Sequence, residues 1–222
     1  PGNEDVSTFW AFGPSADPLL RACHIFVCRW RQPLAGGAAC RRRVLLVDFD
    51  PQGNASTGLG IEPVERTENS YRLVTGEVDV SNAIKPSSVP NLDVIAAVVD
   101  LSAAEVELTT VDRREFRLAD ALVGITAEYD YILIDCPPSL SLLTVMALVS
   151  SNSLLVPLQT EFFALEGLTQ LMKTIDRIKV NLNPELEIQG ILLTMYDRRN
   201  KLSSQVEQEA RDYFKEKVYN TV

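Results

Sequence analysis

Two aspartates, Asp48 and Asp50, lie two residues apart at the end of a short apolar run. In an extended strand, side chains two residues apart share one face, so both carboxylates are expected to project to the same side. Pro51 disfavours helical backbone at Asp50 and helps to keep that residue extended. Two carboxylates at a strand tip can hold Mg²⁺-bound water or orient an attacking water molecule. The spacing is equally compatible with a helix N-cap beside a solvated acid.

A third aspartate, Asp135, ends a second apolar run and is followed by Pro137 and Pro138. A carboxylate directly after a buried hydrophobic strand is the pattern of an acid that supports a metal ion, usually through water. Strands that end in aspartate are common, so this motif alone discriminates little. Its separation from Asp48 allows the two runs to form neighbouring strands of one sheet. The two motifs together therefore predict a metal and phosphate site.

The strands that would position these aspartates are predicted from apolar runs beyond residue 41. Runs of about four β-branched and leucine residues without polar alternation are typical of strands buried on both faces of a parallel sheet. Five runs fit this description: 44–47, 92–95, 131–134, 154–156 and 191–193.

Helices are predicted between these runs, where apolar residues recur at helical spacing. The predicted helices cover 103–122, 166–180 and 203–217. We interpret their apolar stripes as core contacts. The alternation of strands and helices predicts an α/β fold with a doubly wound, mostly parallel sheet flanked by helices. Ligand chemistry is expected at the carboxyl ends of the strands.

The composition of the 222 residues is that of a folded globular protein, with 46% hydrophobic and 23% charged residues. It excludes collagenous, disordered and disulfide-scaffold proteins. No apolar run approaches the roughly 18 residues that span a bilayer, so we expect a cytoplasmic protein without a membrane segment. The formal net charge of -9 gives little long-range attraction to DNA, and DNA binding would have to rest on a local basic patch.

Residues 1–40 differ in composition from the rest of the chain. They hold three of the four cysteines, both tryptophans and the only histidine, whereas the first lysine is Lys85. We therefore predict an atypical segment over 1–40, joined to an α/β domain over 41–222. Translation in a wrong reading frame would produce such a segment, and an evolved new domain is the alternative.

Four collinear segments resemble the ParA (Soj-like) family of chromosome and plasmid partition ATPases: 48–60, 135–140, 156–168 and 190–197. The resemblance covers about residues 41–222. It implies a partial nucleotide-binding domain with a P-loop NTPase-like fold of the deviant Walker A class, which takes ATP and Mg²⁺. It further implies a nucleotide-dependent homodimer, sequence-independent DNA binding, a ParB-like stimulating protein and association with the nucleoid.

The resemblance also implies roles for individual residues. Asp50 would orient the hydrolytic water with Asp48 beside it, and Asp135 would support Mg²⁺ through water. The implied cofactor-binding positions are Gly53, Pro138, Met195 and Tyr196. The implied DNA-binding positions are Arg198, Arg199 and Lys201. Arg199 best matches an arginine that contacts DNA in the family, and a solvated loop is the alternative interpretation of these cations.

The sequence departs from the family pattern at the phosphate-binding loop. The family's Lys-Gly-Gly-Val-Gly-Lys-Thr-Thr would fall near residues 21–28, where this sequence reads Arg-Ala-Cys-His-Ile-Phe-Val-Cys. A phosphate cradle needs small residues, so that backbone N–H groups converge, and a lysine for the β- and γ-phosphates. Residues 1–40 are therefore not expected to supply the first strand and helix of the sheet. The resemblance also implies further segments after the position of Val222.

Two functions are compatible with these observations. The first is a ParA-type ATPase that hydrolyses ATP with Mg²⁺ and binds DNA to segregate a chromosome or plasmid. The second is a catalytically inactive ParA-like protein that keeps the sheet and helices and binds DNA or another protein.

Overall fold

The computed structural model describes residues 25–30, 42–137, 139, 141–160 and 164–220. Strands in these residues form one seven-stranded sheet. In chain order they are β1 (Ile25–Trp30), β2 (Val44–Asp48), β3 (Ile84–Pro86), β4 (Leu92–Ile95), β5 (Tyr131–Cys136), β6 (Ser153–Gln159) and β7 (Glu187–Thr194). Across the sheet their order is β3-β4-β2-β5-β1-β6-β7.

Five of these strands point in one direction. β2 pairs in parallel with β4 and β5, and β6 pairs in parallel with β7. β1 is antiparallel to both β5 and β6, so β5 and β6 themselves run the same way. β3 is antiparallel to β4 at the sheet edge. The predicted mostly parallel α/β sheet is confirmed, and each of the five predicted runs lies within a strand.

β1 lies inside the sheet, between β5 and β6, and corrects one expectation. The sequence predicted no first strand from residues 1–40, yet 25–30 form one. Ile25 pairs with Cys136 and Trp30 with Tyr131, so the strand runs against its neighbours. Two facing strand edges carry rows of N–H and C=O groups that must be paired when buried. A strand between them satisfies those groups through its backbone, whatever its side-chain pattern.

Eight α-helices lie in the described part of the chain. They are α1 (Asn54–Gly58), α2 (Ser70–Thr75), α3 (Val80–Ala83), α4 (Ala104–Glu107), α5 (Arg117–Leu122), α6 (Leu142–Val149), α7 (Ala164–Asn181) and α8 (Lys201–Phe214). The predicted helix 166–180 is confirmed by α7. The predicted helix 203–217 corresponds to α8 and the 3₁₀ turn Lys215–Lys217 that follows it.

The predicted continuous helix over 103–122 is wrong. This stretch consists of α4, the 3₁₀ turns Leu108–Thr110 and Arg114–Phe116, and α5. Arg113 interrupts it with a left-handed backbone, at φ +56°. A single left-handed residue reverses the local path of the chain, so the apolar positions on either side belong to separate short helices.

Both faces of the sheet are covered. Side chains alternate along β2, so Leu45 and Val47 join the larger apolar core while Leu46 joins a smaller core on the opposite face. Ala55 of α1 belongs to the smaller core, and most of α6 is buried in the larger one. Among the described helices, none combines the length and the apolar character that crossing a bilayer requires.

Candidate functional site

The three sequence-predicted acids meet at the carboxyl ends of β2 and β5. Asp48 and Asp135 are register partners on these neighbouring parallel strands. The backbone N–H of Asp50 donates to Oδ1 of Asp48 at 3.3 Å. Asp48 is fully buried, and Asp135 and Asp50 are only 3% and 5% exposed. We call these three residues the carboxylate edge.

Asp48 is held by the first turn of α1. Its Oδ2 accepts hydrogen bonds from the Ser56 N–H at 2.7 Å and from the Ser56 hydroxyl at 2.6 Å. Asp48 therefore satisfies an otherwise unpaired N–H in the first turn of the helix while it lies beside Asp135, although the N-cap residue of α1 is Gly53. Burial raises the pKa of Asp48 to about 7; the Ser56 hydroxyl opposes the rise and the charge of Asp135 adds to it.

Asp50 begins the tight turn that leads into α1. Its Oδ1 accepts the N–H of Gln52 at 2.9 Å, and its carbonyl accepts the N–H of Gly53 at 2.9 Å. Gly53 has a left-handed backbone, φ +62°, and a Cβ atom there would lie 2.3 Å from Nη1 of Arg66. The structure thus gives Gly53 a role in the turn, and its cofactor-binding role stays a prediction.

Two polar residues of this region were not predicted from the sequence. Ser56 binds Asp48, and Arg66 packs its guanidinium against the backbone around Gly53. Ser56 lies inside the motif that contains the aspartates. Its place in the first turn of a helix could have indicated that it binds one of them. Arg66 donates mainly to backbone carbonyls, which leave no pattern in a sequence.

The predicted phosphate segment, 21–28, is only partly within the described residues. Residues 21–24 lie outside them, and 25–28 belong to β1. Because Ile25 pairs with Cys136, β1 begins beside Asp135 and ends at the opposite edge of the sheet. A phosphate-binding loop follows the carboxyl end of its strand. The carboxyl end of β1 therefore lies at the edge of the sheet away from the aspartates.

The residues present fit a divalent cation and not a triphosphate cradle. Carboxylate oxygens are the ligands that Mg²⁺ prefers, and it usually keeps several waters. Among the described residues, no group of three or more acidic, histidine or cysteine side chains could hold a metal ion, and the metal-supporting role of Asp135 stays a prediction. Residues 21–24, which precede β1, include neither glycine nor lysine.

Two of the other predicted cofactor residues, Met195 and Tyr196, lie at a distance from the carboxylate edge. Pro138 is outside the described residues. Met195 and Tyr196 follow the carboxyl end of β7, which is three strand positions from β5, or roughly 14 Å at ordinary strand spacing. Met195 has φ +52° and is 72% exposed. The structure places these two residues at the same edge of the sheet, but it does not bring them to the aspartates.

The three predicted DNA-binding residues are exposed: Arg198 and Arg199 lie on the turn between β7 and α8, and Lys201 is the first residue of α8. We call Arg198, Arg199 and Lys201 the basic loop. Arg199 forms a two-point ion pair with Asp197, with Nε to Oδ1 at 3.1 Å and Nη2 to Oδ2 at 3.2 Å. These hydrogen bonds hold the pKa of Asp197 below its usual value. The charge of the basic loop is thus partly offset, and its DNA-binding role stays a prediction.

Comparison with known proteins identifies close relatives. A family model described as an AAA domain matches residues 35–188. The chromosome partitioning protein ParA of Caulobacter vibrioides is 56% identical over 187 residues, which cover 83% of this chain and 70% of the relative. The sporulation initiation inhibitor protein Soj of Bacillus subtilis is 50% identical over 181 residues, which cover 82% of this chain and 72% of that protein.

Solved structures with the same fold include nucleotide-bound ones. Cobyrinic acid a,c-diamide synthase from Mycobacterium smegmatis with bound ADP and magnesium matches with a TM-score of 0.73 and 36% identity, over 78% of this chain and 71% of that one. A plasmid partition protein from Borrelia burgdorferi matches with a TM-score of 0.69 and 25% identity, over 82% and 77% of the two chains.

Proposed function

The chain belongs to the ParA/Soj family of chromosome partitioning proteins, and on that premise we propose that it is a partitioning ATPase that uses ATP with Mg²⁺. The observation that carries the proposal is the carboxylate edge, where three buried aspartates meet at two adjacent strand ends. Support also comes from the solved structure of a relative with bound ADP and magnesium.

The three aspartates have separate tasks in this proposal. When bound, Mg-ATP would supply the phosphoryl group that is transferred to water. Asp50 would orient the attacking water, and Asp135 would help to hold the metal through water. Asp48, fixed by Ser56, keeps the Asp50 backbone in place through the bond to its N–H. Positioning and electrostatics account for most of the catalysis in such transfers.

The proposal extends to DNA and to protein partners. The basic loop would contact backbone phosphates without regard to base sequence, because arginine and lysine side chains are attracted to the charge of the phosphates and not to the bases. A nucleotide-dependent homodimer would present two such loops and so compensate for the acidic net charge. A ParB-like protein would stimulate hydrolysis, and the cargo would be a chromosome or plasmid on the nucleoid.

A second candidate function is supported by the direction of β1. The carboxyl end of β1 lies at the edge of the sheet away from the aspartates, and residues 21–24 lack the glycines and lysine of a phosphate cradle. This observation favours a family member that binds DNA or protein without turning over ATP.

Binding of a fluorescent ATP analogue in the presence of Mg²⁺ separates the two candidates. For the ATPase we expect saturable binding, and turnover that falls roughly 100-fold or more in Asp50→Ala. The matched control is Asp100→Ala, an exposed aspartate beyond β4, which should leave turnover unchanged. Absence of saturable binding would favour the second candidate, and turnover that survives Asp50→Ala would contradict the role given to Asp50.

A further inference from the structure

Arg66 is a buried cation whose partners are neutral oxygen atoms. The residue is 7% exposed, and the ion pairs found in the described part of the chain do not include it. Its Nε and Nη2 donate to the carbonyl of Ile61 at 3.1 and 2.8 Å. Its Nη1 donates to the carbonyl of Ala97 at 3.1 Å, and Nη2 also donates to the Thr57 hydroxyl at 2.8 Å.

Stability alone gives no account of an arginine at this position. Removing a guanidinium from water costs free energy, and an apolar side chain of similar volume often packs as well or better. The planar guanidinium of Arg66 makes directional hydrogen bonds to three separate segments, which an apolar side chain cannot do. Those segments are α1, the loop after it and the turn after β4.

Two of these segments, α1 and the turn after β4, also support the carboxylate edge. The Ser56 hydroxyl that donates to Asp48 also accepts the N–H of Ala97 at 3.0 Å. Ala97 is therefore held on both sides, its N–H by Ser56 and its carbonyl by Arg66. A continuous chain of hydrogen bonds runs from Arg66 through Ala97 and Ser56 to Asp48.

The turn at Gly53 depends on the same side chain. A Cβ atom on Gly53 would lie 2.3 Å from Nη1 of Arg66 and 3.2 Å from the carbonyl of Ala97. Gly53 binds the Asp50 carbonyl through its N–H, at 2.9 Å. The guanidinium therefore packs directly against the turn that sets the direction of Asp50.

We propose that Arg66 is a positioning residue for the carboxylate edge: it locks α1 to the turn after β4 and thereby fixes Asp48 and Asp50 for hydrolysis. This inference rests on the proposed ATPase function. In this proposal Arg66 acts through Ala97, Ser56 and Gly53.

Arg66→Met tests the proposal, with Arg72→Met as the matched control. Arg72 is an arginine of α2 with partly exposed ion pairs to Glu68 and Glu77. In Arg66→Met we expect kcat per folded molecule to fall roughly 10- to 100-fold, with KM for Mg-ATP changed by less than about twofold. Arg72→Met should leave both constants unchanged. A kcat in Arg66→Met equal to that of the control would overturn the proposal.

Amide hydrogen exchange provides a readout that does not need turnover. Exchange at Ser56 and Ala97 should become at least about tenfold faster in Arg66→Met and not in Arg72→Met. If Arg66→Met does not fold, Arg66→Lys, which keeps the charge but cannot form the branched set of hydrogen bonds, should give the same pattern. If the wild-type chain shows no turnover, the ATPase proposal fails and exchange alone decides the role of Arg66. Unchanged exchange at both amides would then overturn it.

Discussion

The carboxylate edge and the basic loop lie at the same edge of one sheet, yet they are built in opposite ways. Asp48 is fully buried and takes two short hydrogen bonds from Ser56, which is itself fixed by Ala97. In the basic loop the side chain of Arg199 is 91% exposed, and its ion pair is with a near neighbour in sequence, Asp197. The first group is fixed by contacts from α1 and from the turn after β4, whereas the ion pair of Arg199 lies within a single turn.

This difference indicates how each region would respond to change. A buried hydrogen-bonded carboxylate contributes strongly to both stability and geometry, since any lost partner leaves a polar group in a site of low dielectric constant. An exposed ion pair is screened by water and salt and contributes little to stability. Substitutions at the carboxylate edge should therefore change the free energy of unfolding. Substitutions in the basic loop should change only the affinity for DNA.

The pH dependence of unfolding gives the largest expected contrast. The pKa of Asp48 is raised from 3.8 to about 7 in the folded chain, so the folded state binds more protons between these values. The free energy of unfolding should fall as pH rises through this window and then level off, by up to roughly 4 kcal/mol in total. Urea unfolding at a series of pH values should show this fall in the wild type and lose that contribution in Asp48→Asn.

Asp197→Asn is the control for this experiment. The pKa of Asp197 is lowered by Arg199, so this carboxyl group is ionised in both the folded and unfolded states above about pH 5. Its contribution to stability is present above its unfolded pKa and is lost only as pH falls through the lower folded value. Above pH 5, Asp197→Asn should leave the dependence of the free energy of unfolding on pH unchanged. If it altered that dependence as much as Asp48→Asn does, the distinction between the two regions would be lost.

Two serines give the next contrast. Ser56→Ala removes the hydroxyl that donates to Asp48 and accepts from Ala97, and we expect a loss of about 2 kcal/mol in the free energy of unfolding. Ser204→Ala removes an exposed hydroxyl 3.5 Å from the Tyr196 phenol, and we expect a change within about 0.5 kcal/mol. Chemical denaturation of both variants measures the difference, and equal losses would count against a network centred on Asp48.

The smallest expected effect on stability is that of Arg199→Ala. The unfolding midpoint should stay at the wild-type value because the ion pair to Asp197 is solvated. Affinity for random-sequence duplex DNA should fall, and the slope of log affinity against log salt should become shallower by about 1. Titration of labelled DNA at several salt concentrations tests this. Unchanged DNA affinity and slope would place the DNA contact elsewhere.

The sheet and the meeting of the aspartates could be predicted from the sequence. Strands buried on both faces have uninterrupted apolar runs, and 131–134 within β5 is an example. Asp48 and Asp135 each follow such a run, and strand ends of a parallel sheet share one edge. Residue types and positions were therefore sufficient for this part of the site.

The remaining features depend on backbone geometry. The interruption at Arg113 comes from one left-handed residue between two apolar stretches. The acceptors of Arg66 are carbonyl groups, which every residue possesses. The direction of β1 depends on backbone pairing with β5 and β6, which an apolar run alone does not specify. None of these three leaves a distinctive pattern of residue types.

The location of β1 also affects the order in which the sheet can assemble. Both strands that pair with it lie more than a hundred residues further along the chain. The pairs β2–β4 and β6–β7 join residues much closer in sequence, so their loops close at a smaller entropic cost. The high contact order of the β1 pairings implies that the strand pairs on either side of β1 form first and that β1 enters the sheet last. Until then β5 and β6 present two open strand edges to other chains, and self-association would compete with the final step of folding.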